Sequence, residues 1–471
     1  MSKSKLIKNA WIVTNDEVLG DIKGGSILIE GNSILALGAH VNSPSDAEVI
    51  DGTGMIAIPG FVDAHKHLWQ GALRGVCGDM SLLGYFQARQ QFIAAYRPED
   101  ARVGTYASAI DMISGGTTAV LDHAHCVVTP AHADAALEGA LSAGIRGVWA
   151  YGYCPVYENG AFASHLDRIS DAKRMNAEYF SSSHPMLRMG IAITEQNLLP
   201  LELTELEIRS AMEMNVKWTG HTHCGNGPAP ITRGVHKLYA KELINSLAVL
   251  SHCNEFSYND FCAMREAGAY FASSPDTELY MGIAKPVNYV DAIAAGIEVS
   301  LGTDTVACMS GDMFPTMRMA LLFARFQING PIVAGCQVLT EQRLSARDVF
   351  RWATINGAKA LGIDHLVGSL VPGKRADIVL INGRHLNLSP VNDPVVDLIL
   401  NGHAANVDTV LIDGVIRKRA GNLMNVDLDR LANDLDCSRG NLMDHAPTSE
   451  TRRDVTQEVE PWAHRVADVR P

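Results

Sequence analysis

The chain has 471 residues, of which 47% are hydrophobic, and carries a formal net charge of −13 at pH 7. This length accommodates a barrel of about 250 residues and a smaller domain. The acidic balance, without a run of Lys or Arg, argues against nucleic acid and membrane surfaces as partners, so a small-molecule partner is expected. The first residues lack the apolar core of a secretion signal, and no apolar stretch of about 18 residues follows, so a cytoplasmic location is expected.

The two ends of the chain share a pattern of short hydrophobic runs separated by turns. Residues 1–57 contain such runs at 11–14, 26–29 and 34–37, and residues 366–420 repeat the pattern. Short runs of this kind predict strands. We therefore predict that both termini build one small composite β-sandwich domain.

Residues 58–365 alternate strand-like runs with helical patterns, for example at 98–114, 129–143, 203–214 and 345–361. This alternation predicts parallel strands joined by crossover helices, so the fold class is α/β, a (β/α)8 TIM-like barrel. In such barrels the active site lies at the C-terminal ends of the strands. The polar tail at 421–471 is expected to form a short helix across a neighbouring subunit or to fray.

The first barrel strand ends in two histidines, His65 and His67, after the apolar run that begins at Pro59. Residues two apart on a strand point to the same side, so both imidazoles can reach one divalent ion. Neutral imidazole suits zinc, iron, cobalt and nickel. Later runs also end in candidate ligands or proton carriers. These are His221 and His223, then His252, then Asp304.

Three motifs in order make the chain similar to the amidohydrolase superfamily, within the group of triazine hydrolases and S-adenosylhomocysteine deaminases. The opening Pro-Gly-hydrophobic-hydrophobic-Asp-x-His-x-His motif is met by residues 59–67, Gly-Gly-Thr-Thr by 115–118, and Gly-Thr-Asp by 302–304. The resemblance implies a hydrolase in which metal-bound hydroxide attacks an electrophilic carbon and expels an amine or a similar leaving group. It also implies a homo-oligomer.

The resemblance implies a metal site made of His65, His67, one fifth-strand histidine and Asp304. Of the fifth-strand pair we favour His223 over His221, because the family's ligand often stands second in His-Thr-His. The expected cofactor is one divalent ion per chain, with zinc favoured over iron, cobalt and manganese. Lys66 lies between the two histidines and should point away from the ion, which argues against a lysine-bridged pair of metals.

Two residues receive catalytic roles from the resemblance. Asp304 would accept the proton of the attacking water, and His252 would stabilise the developing negative charge. Residues near the barrel mouth are expected to contact the substrate. They are His125, Trp69, Gln70, Asn226 and Glu278.

One position departs from the family pattern. Deaminating members carry a proton-relaying glutamate three residues beyond the fifth-strand ligand, where this chain has Asn226. An amide cannot relay a proton. Glu195, Glu255 and Glu278 all follow predicted strands and are candidates to replace it.

Three functions therefore remain open. Deamination is favoured by the group that the chain resembles. Hydrolysis of an amide, urea, carbamate or thiocarbamate is favoured by Asn226. A non-catalytic scaffold with this fold is the third, although all four ligand positions are filled.

Overall fold

The computed structural model describes residues 4–153, 162–181, 186–194, 201–222, 231–281 and 286–446. Five strands precede the barrel: β1 (Lys5–Val13), β2 (Asp21–Glu30), β3 (Ser33–Gly38), β4 (Glu48–Asp51) and β5 (Met55–Pro59). The barrel strands are β6 (Phe61–Lys66), β7 (Thr117–Ala124), β8 (Arg146–Gly152), β9 (Leu187–Ala192), β10 (Lys217–His221), β11 (Ala248–Ser251), β12 (Tyr270–Ser273) and β13 (Val299–Leu301). Four strands follow: β14 (Ile378–Asn382), β15 (Val407–Ile412), β16 (Val415–Arg419) and β17 (Asn422–Leu423).

The helices of the first half are α1 (Leu82–Ala95), α2 (Pro98–Ser114), α3 (Pro130–Ala143), α4 (His165–Tyr179), α5 (Leu201–Met214), α6 (Ile231–Ala240) and α7 (Tyr258–Glu266). Those of the second half are α8 (Pro275–Tyr280), α9 (Tyr289–Ala295), α10 (Met313–Ala334), α11 (Ala346–Arg351), α12 (Gly357–Ala360), α13 (Pro394–Asn401) and α14 (Leu428–His445). The four helical patterns noted in the sequence all coincide with helices. Among the described residues, no helix is both long and apolar enough to cross a membrane.

Strands β6 to β13 form one parallel sheet in sequential order, each strand pairing with the next along the chain. The residues of β6, β7 and β8 are all buried, as expected for strands covered on both faces. The sheet closes just beyond β13, where Asp304 forms a parallel bridge with Lys66. The predicted α/β barrel is confirmed.

A second sheet unites the two ends of the chain. Its path is β17-β16-β15-β14-β5-β1-β2-β3, and β4 pairs with β1. The two halves meet where β14 runs antiparallel to β5, with Ile378 opposite Pro59 and Asn382 opposite Met55. This separate sheet, built from both termini, agrees with the predicted composite β domain.

A buried ion pair connects the base of the barrel to the second sheet. Arg146, the first residue of β8, donates from Nε to Asp377 at 2.8 Å and from an Nη atom to Asp413 at 2.8 Å. The side chains of Arg146 and Asp377 are each only 1% exposed. Charges removed from water this completely are stable only when they are paired. Separating the two sheets would break this pair, so the contact helps to hold them together.

The C-terminal helix α14 packs on its own barrel. Asp427 caps it by accepting the Arg430 amide at 3.0 Å, and Asn441 donates to Asp100 of α2 at 3.1 Å. Part of the tail that we expected to contact a neighbouring subunit or to fray is therefore a helix bound to α2. Residues 447–471 lie outside the described residues.

Candidate metal centre

The end of β6 brings two imidazoles together inside the barrel. The ring centroids of His65 and His67 lie 5.0 Å apart, and both side chains are buried. His67 Nδ1 lies 3.0 Å from the His123 carbonyl oxygen. Because a carbonyl only accepts, this contact favours a proton on Nδ1, and in that tautomer Nε2 would offer its lone pair to a metal ion.

Asp304 follows β13 and lies beside these two histidines, where the last barrel strand meets the first. Its Oδ1 lies 3.1 Å from His67 Nε2 and 3.5 Å from His65 Nε2. Two backbone hydrogen bonds fix the segment, from the Asp304 amide to the His65 carbonyl at 2.9 Å and from the His67 amide to the Asp304 carbonyl at 3.1 Å. Asp304 has a left-handed backbone with φ of 53°, a strained conformation typical of functional sites.

The pKa shifts of Asp304 and His65 favour the protonation states that bind a cation. Burial alone would raise the pKa of the Asp304 carboxyl, but its contacts with His65 and His67 outweigh burial and hold that pKa well below 3.8. Burial lowers the pKa of His65 to about 3. An anionic carboxylate therefore faces a neutral imidazole, which is the protonation state in which both bind metals.

Two more histidines approach from β10 and from the residue after β11. The ring centroids of His221 and His252 each lie 5.0 Å from that of His65. The potential ligand atoms of His65, His221 and His252 lie within 4.8 Å of one another, as do those of His65, His67 and Asp304. We call His65, His67, His221 and His252 the histidine cluster.

The donor set fits a divalent metal ion. Neither ring nitrogen of His65 makes a well-formed hydrogen bond among the described residues, although the ring is completely buried. A buried polar atom in this situation costs free energy unless a further partner satisfies it. Imidazole nitrogens with one carboxylate are the ligands that zinc prefers in catalytic sites.

The second barrel strand adds residues that line the same cavity. The His125 ring centroid lies 4.4 Å from that of His67, and that of His123 is stacked on His221 at 4.2 Å. Burial lowers the pKa of both His123 and His125 well below 6.5. Arg89 of α1 is buried and donates to His125 Nε2 at 3.0 Å. His125 therefore lies beside the centre, and its role as a substrate contact stays a prediction.

Sequence reasoning did not single out His123 or Arg89. His123 is visible in the segment 121–125 because it lies two residues before His125, on the same side of β7. No comparable signal marks Arg89, because its position depends on how α1 packs over the barrel mouth.

Trp69 and Gln70 are both completely buried in the turn after His67. Trp69 Nε1 lies 3.2 Å from His125 Nδ1, so this side chain forms a wall behind His125. Gln70 donates to the Tyr85 hydroxyl at 2.8 Å and accepts from the Thr305 hydroxyl. Its amide thus ties α1 to the segment after Asp304.

The remaining candidates are distributed as follows. Glu278 is 2% exposed and lies behind His252, with Oε1 3.3 Å from His252 Nδ1. Glu255 is half-buried and belongs to neither group of potential ligands. His223, Asn226 and Glu195 lie outside the described residues.

Lys66 is fully buried and belongs to neither group of potential ligands. Its Nζ lies 3.3 Å from the position that a Cβ on Gly311 would occupy, and Asp111 is beside the same position. Lys66 is thus accommodated next to residues 111 and 311, in keeping with a side chain directed away from the ion.

Comparisons with known proteins agree with this fold. The profile described as the Amidohydrolase family matches residues 56–417. The 5-methylthioadenosine/S-adenosylhomocysteine deaminase of Thermococcus kodakarensis is 29% identical over 427 residues, covering 88% of this chain and 93% of the relative. The 5'-deoxyadenosine deaminase of Methanothermobacter thermautotrophicus is 30% identical over 439 residues, covering 88% and 94%.

Solved structures show the same architecture. An adenosine deaminase from Xanthomonas campestris with bound zinc superposes with a TM-score of 0.84 at 20% identity, covering 94% of this chain and 99% of that chain. The atrazine chlorohydrolase of Arthrobacter aurescens in complex with zinc has a TM-score of 0.78 at 24% identity, covering 92% and 99%. The chain therefore belongs to the amidohydrolase family and is a metal-dependent hydrolase that acts on carbon–nitrogen bonds.

Proposed function

We propose that this amidohydrolase uses one divalent ion, zinc by preference, to remove an amine from a small molecule by hydrolysis. The observation that carries the proposal is the buried set of His65, His67 and Asp304, whose potential ligand atoms lie within 4.8 Å of one another. A divalent cation at such a site lowers the pKa of water toward neutrality and polarises the bond to be cleaved. Iron, cobalt and manganese are the alternatives to zinc.

The protein's own residues supply the remaining chemistry. Asp304 is held anionic, so it can accept the proton of the attacking water and pass it to the leaving amine. His252 reaches the same cavity, where its Nε2 can contact the attacking water and, once protonated, stabilise the negative charge that develops during the attack. His125 and Trp69 form one wall against which a flat substrate can lie, and Arg89 fixes the His125 ring.

The fifth strand supplies one more ligand, either His221 or His223. The described geometry supports His221, because its ring lies 5.0 Å from that of His65. The family motif supports His223. The metal content of His221→Ala and His223→Ala decides between them, because only the variant that lacks the ligand should lose the ion.

Two substrate classes are tested against each other. The relatives named as deaminases of adenosine derivatives, at 29% and 30% identity, favour release of ammonia from an aminated purine nucleoside. The asparagine at position 226 favours amides, ureas, carbamates and thiocarbamates, since these carbons need no prior protonation of a ring nitrogen. The described part of the chain adds support to the second class, because Glu278 is bonded to its own strand end and does not face the cavity as a free acid.

The deciding experiment is a substrate panel with zinc-loaded protein. It contains 5'-methylthioadenosine, S-adenosylhomocysteine, 5'-deoxyadenosine and adenosine beside aryl amides, ureas, carbamates and thiocarbamates. Ammonia from the nucleosides identifies the deaminase. Amine or thiol release from the other compounds alone identifies the second class, and no product from either would contradict the proposed function.

We extend the proposal to the assembly and location of the protein. The homo-oligomer rests on resemblance to the family, whereas the cytoplasmic location is the expectation drawn above from the sequence itself. Light scattering of the purified protein and fractionation of cells that express it test these two points.

A further inference from the structure

A buried carboxylate stands directly behind His252. Glu278, in the single helical turn of α8, is 2% exposed, and its Oε1 lies 3.3 Å from His252 Nδ1. The side chains of both residues are 1% exposed, so water does not screen this contact. Such a carboxylate on the far side of an active-site imidazole commonly fixes the orientation of the ring.

Glu278 is itself anchored on the end of β12. Its Oε1 accepts the Ser274 amide at 2.7 Å, and its Oε2 accepts the Ser273 hydroxyl at 3.1 Å. The Ser273 hydroxyl also lies 2.7 Å from the Tyr289 hydroxyl of α9. A rotation of Glu278 into the cavity would break these hydrogen bonds, so the carboxylate is held facing His252 and not the substrate.

The backbone of His252 is also constrained. Its φ is 75° and that of Cys253 is 48°, two consecutive left-handed residues that are not glycine. The His252 amide donates to the Ala272 carbonyl at 2.8 Å, and the Cys253 amide donates to the Thr222 hydroxyl at 3.0 Å. Strained residues persist where the surrounding structure fixes them, and here two neighbouring strands do so.

These contacts determine which ring nitrogen of His252 faces the cavity. Because a carboxylate accepts, Nδ1 carries the proton and donates to Glu278. Nε2 lies on the other side of the ring, where His65 and His221 offer potential ligand atoms within 4.8 Å. We propose that Glu278 is a positioning residue that holds His252 as the Nδ1–H tautomer with Nε2 directed at the histidine cluster. The consequence for turnover rests on the proposed function, whereas the tautomer does not.

The test compares three variants of the zinc-loaded protein with the wild type. Glu278→Met removes the acceptor at similar volume, Glu278→Gln keeps an acceptor without the charge, and Asp276→Asn changes a neighbouring carboxylate on the same helix. The tautomer of His252 is read from two-bond ¹H–¹⁵N correlations in histidine-labelled protein, with His252→Gln to assign the signal. kcat and KM are measured on whichever panel compound is turned over.

We expect the wild type and Asp276→Asn to show the Nδ1–H tautomer and equal kcat. Glu278→Met should lose that tautomer and lower kcat by about 10- to 100-fold with little change in KM. Glu278→Gln should recover part of both, which a general loss of stability would not do. An Nε2–H tautomer in the wild type, or an unchanged tautomer in Glu278→Met, would overturn the proposal. Failure of the substrate panel together with the expected tautomers would reject the proposed function and leave the positioning role standing.

Discussion

Gly302, Thr303 and Asp304 are consecutive residues with three different tasks at the metal centre. A Cβ on Gly302 would lie 2.7 Å from both Cβ and O of His65, so only glycine allows this close approach. The Thr303 hydroxyl donates to Asp63 at 2.6 Å, and Asp63 in turn accepts the His65 amide at 3.0 Å. Asp304 then reaches the imidazoles. The Gly-Thr-Asp motif thus places one candidate ligand and also aligns the strand that carries two others.

Thr303→Val tests this alignment. Burial raises the pKa of Asp63 to about 6, and the Thr303 hydroxyl is one of the groups that favour its charged form. Removing a hydrogen bond from a buried carboxylate at constant side-chain shape should cost about 1 to 3 kcal/mol of unfolding free energy. We also expect zinc to bind more weakly, as measured by chelator competition. Unchanged zinc affinity together with reduced stability would show that Thr303 supports the strand but not the ligands.

Asp276 provides a pH-dependent prediction away from the metal ligands. Burial raises its pKa to about 6, against hydrogen bonding from the Thr316 hydroxyl at 2.8 Å. The folded protein therefore holds a proton on this carboxyl more tightly than the unfolded chain does. The contribution of protonated Asp276 to the free energy of unfolding is complete below pH 3.8, and it is lost as the pH rises through about 6.

Asp276→Asn should keep the protein from losing stability as the pH rises. An amide oxygen still accepts from the Thr316 hydroxyl and carries no charge at any pH. Because the pKa of Asp276 rises by about two, ionising it costs about 3 kcal/mol. This value is the upper bound of the increase in the free energy of unfolding that we expect for Asp276→Asn at pH 8. Little gain is expected at pH 4. Urea unfolding at both pH values measures the difference, and an equal gain at the two would refute the assignment to ionisation.

The residues that sequence could predict are those in motifs whose spacing has a geometric meaning. His65 and His67 are two apart on one strand, and their rings do lie together. The assignment of His223 as a metal ligand stays a prediction, because His223 lies outside the described residues. Arg89 could not be anticipated, because a single cation in a helix looks like any solvated residue until the helix is packed.

At the scale of elements, buried polar contacts help to join the barrel to the second sheet. Arg146 makes two of them, to Asp377 and Asp413, from within the buried interface. These partners are 231 and 267 residues away along the chain, so no local sequence pattern predicts the contacts.

Arg146→Met should destabilise the protein by about 3 to 5 kcal/mol, because it leaves the Asp377 carboxylate buried without its counter-charge. The matched control is Arg74→Met. Arg74 pairs with Asp111 at the same N···O distance of 2.8 Å, but the two side chains are 48% and 49% exposed. Exposed pairs contribute at most about 1 kcal/mol. Chemical denaturation should separate the two variants, and equal effects would mean that burial does not govern this contact.

The helical patterns predicted from the sequence correspond to helices, but the internal break in one of them and the packing of the C-terminal helix were not predicted. The pattern at 98–114 coincides with α2, whereas the pattern at 345–361 holds two helices separated by a π-helical turn at Trp352–Asn356. In α14 only Ser438 and Leu442 are buried. A helix with so narrow an apolar stripe resembles a polar tail in sequence, and its packing on α2 appears only in the folded chain.

At the scale of the whole molecule, the metal centre is where distant parts of the barrel meet. His65 lies on β6 and His67 directly after it, His221 is the last residue of β10, and Asp304 lies in the segment that closes the barrel after β13. The family motifs predicted that His65, His67 and Asp304 would meet, whereas His221 was ranked behind His223 as the fifth-strand ligand. The loops that would define the substrate follow no such rule, because they are shaped by packing at the barrel mouth.

Because these candidate ligands belong to separate parts of the barrel, a bound ion should stabilise the whole fold and not only the cavity. An ion that binds the folded chain alone adds about 2.7 kcal/mol when its free concentration is 100 times Kd. Dialysis against a chelator should therefore lower Tm by several degrees, and stoichiometric zinc should restore it. In His65→Ala, which lacks one of the buried ligands, the same treatment should leave Tm unchanged. A wild-type Tm that does not respond to metal removal would mean that the cluster is aligned by the protein alone, with the ion serving chemistry and not folding.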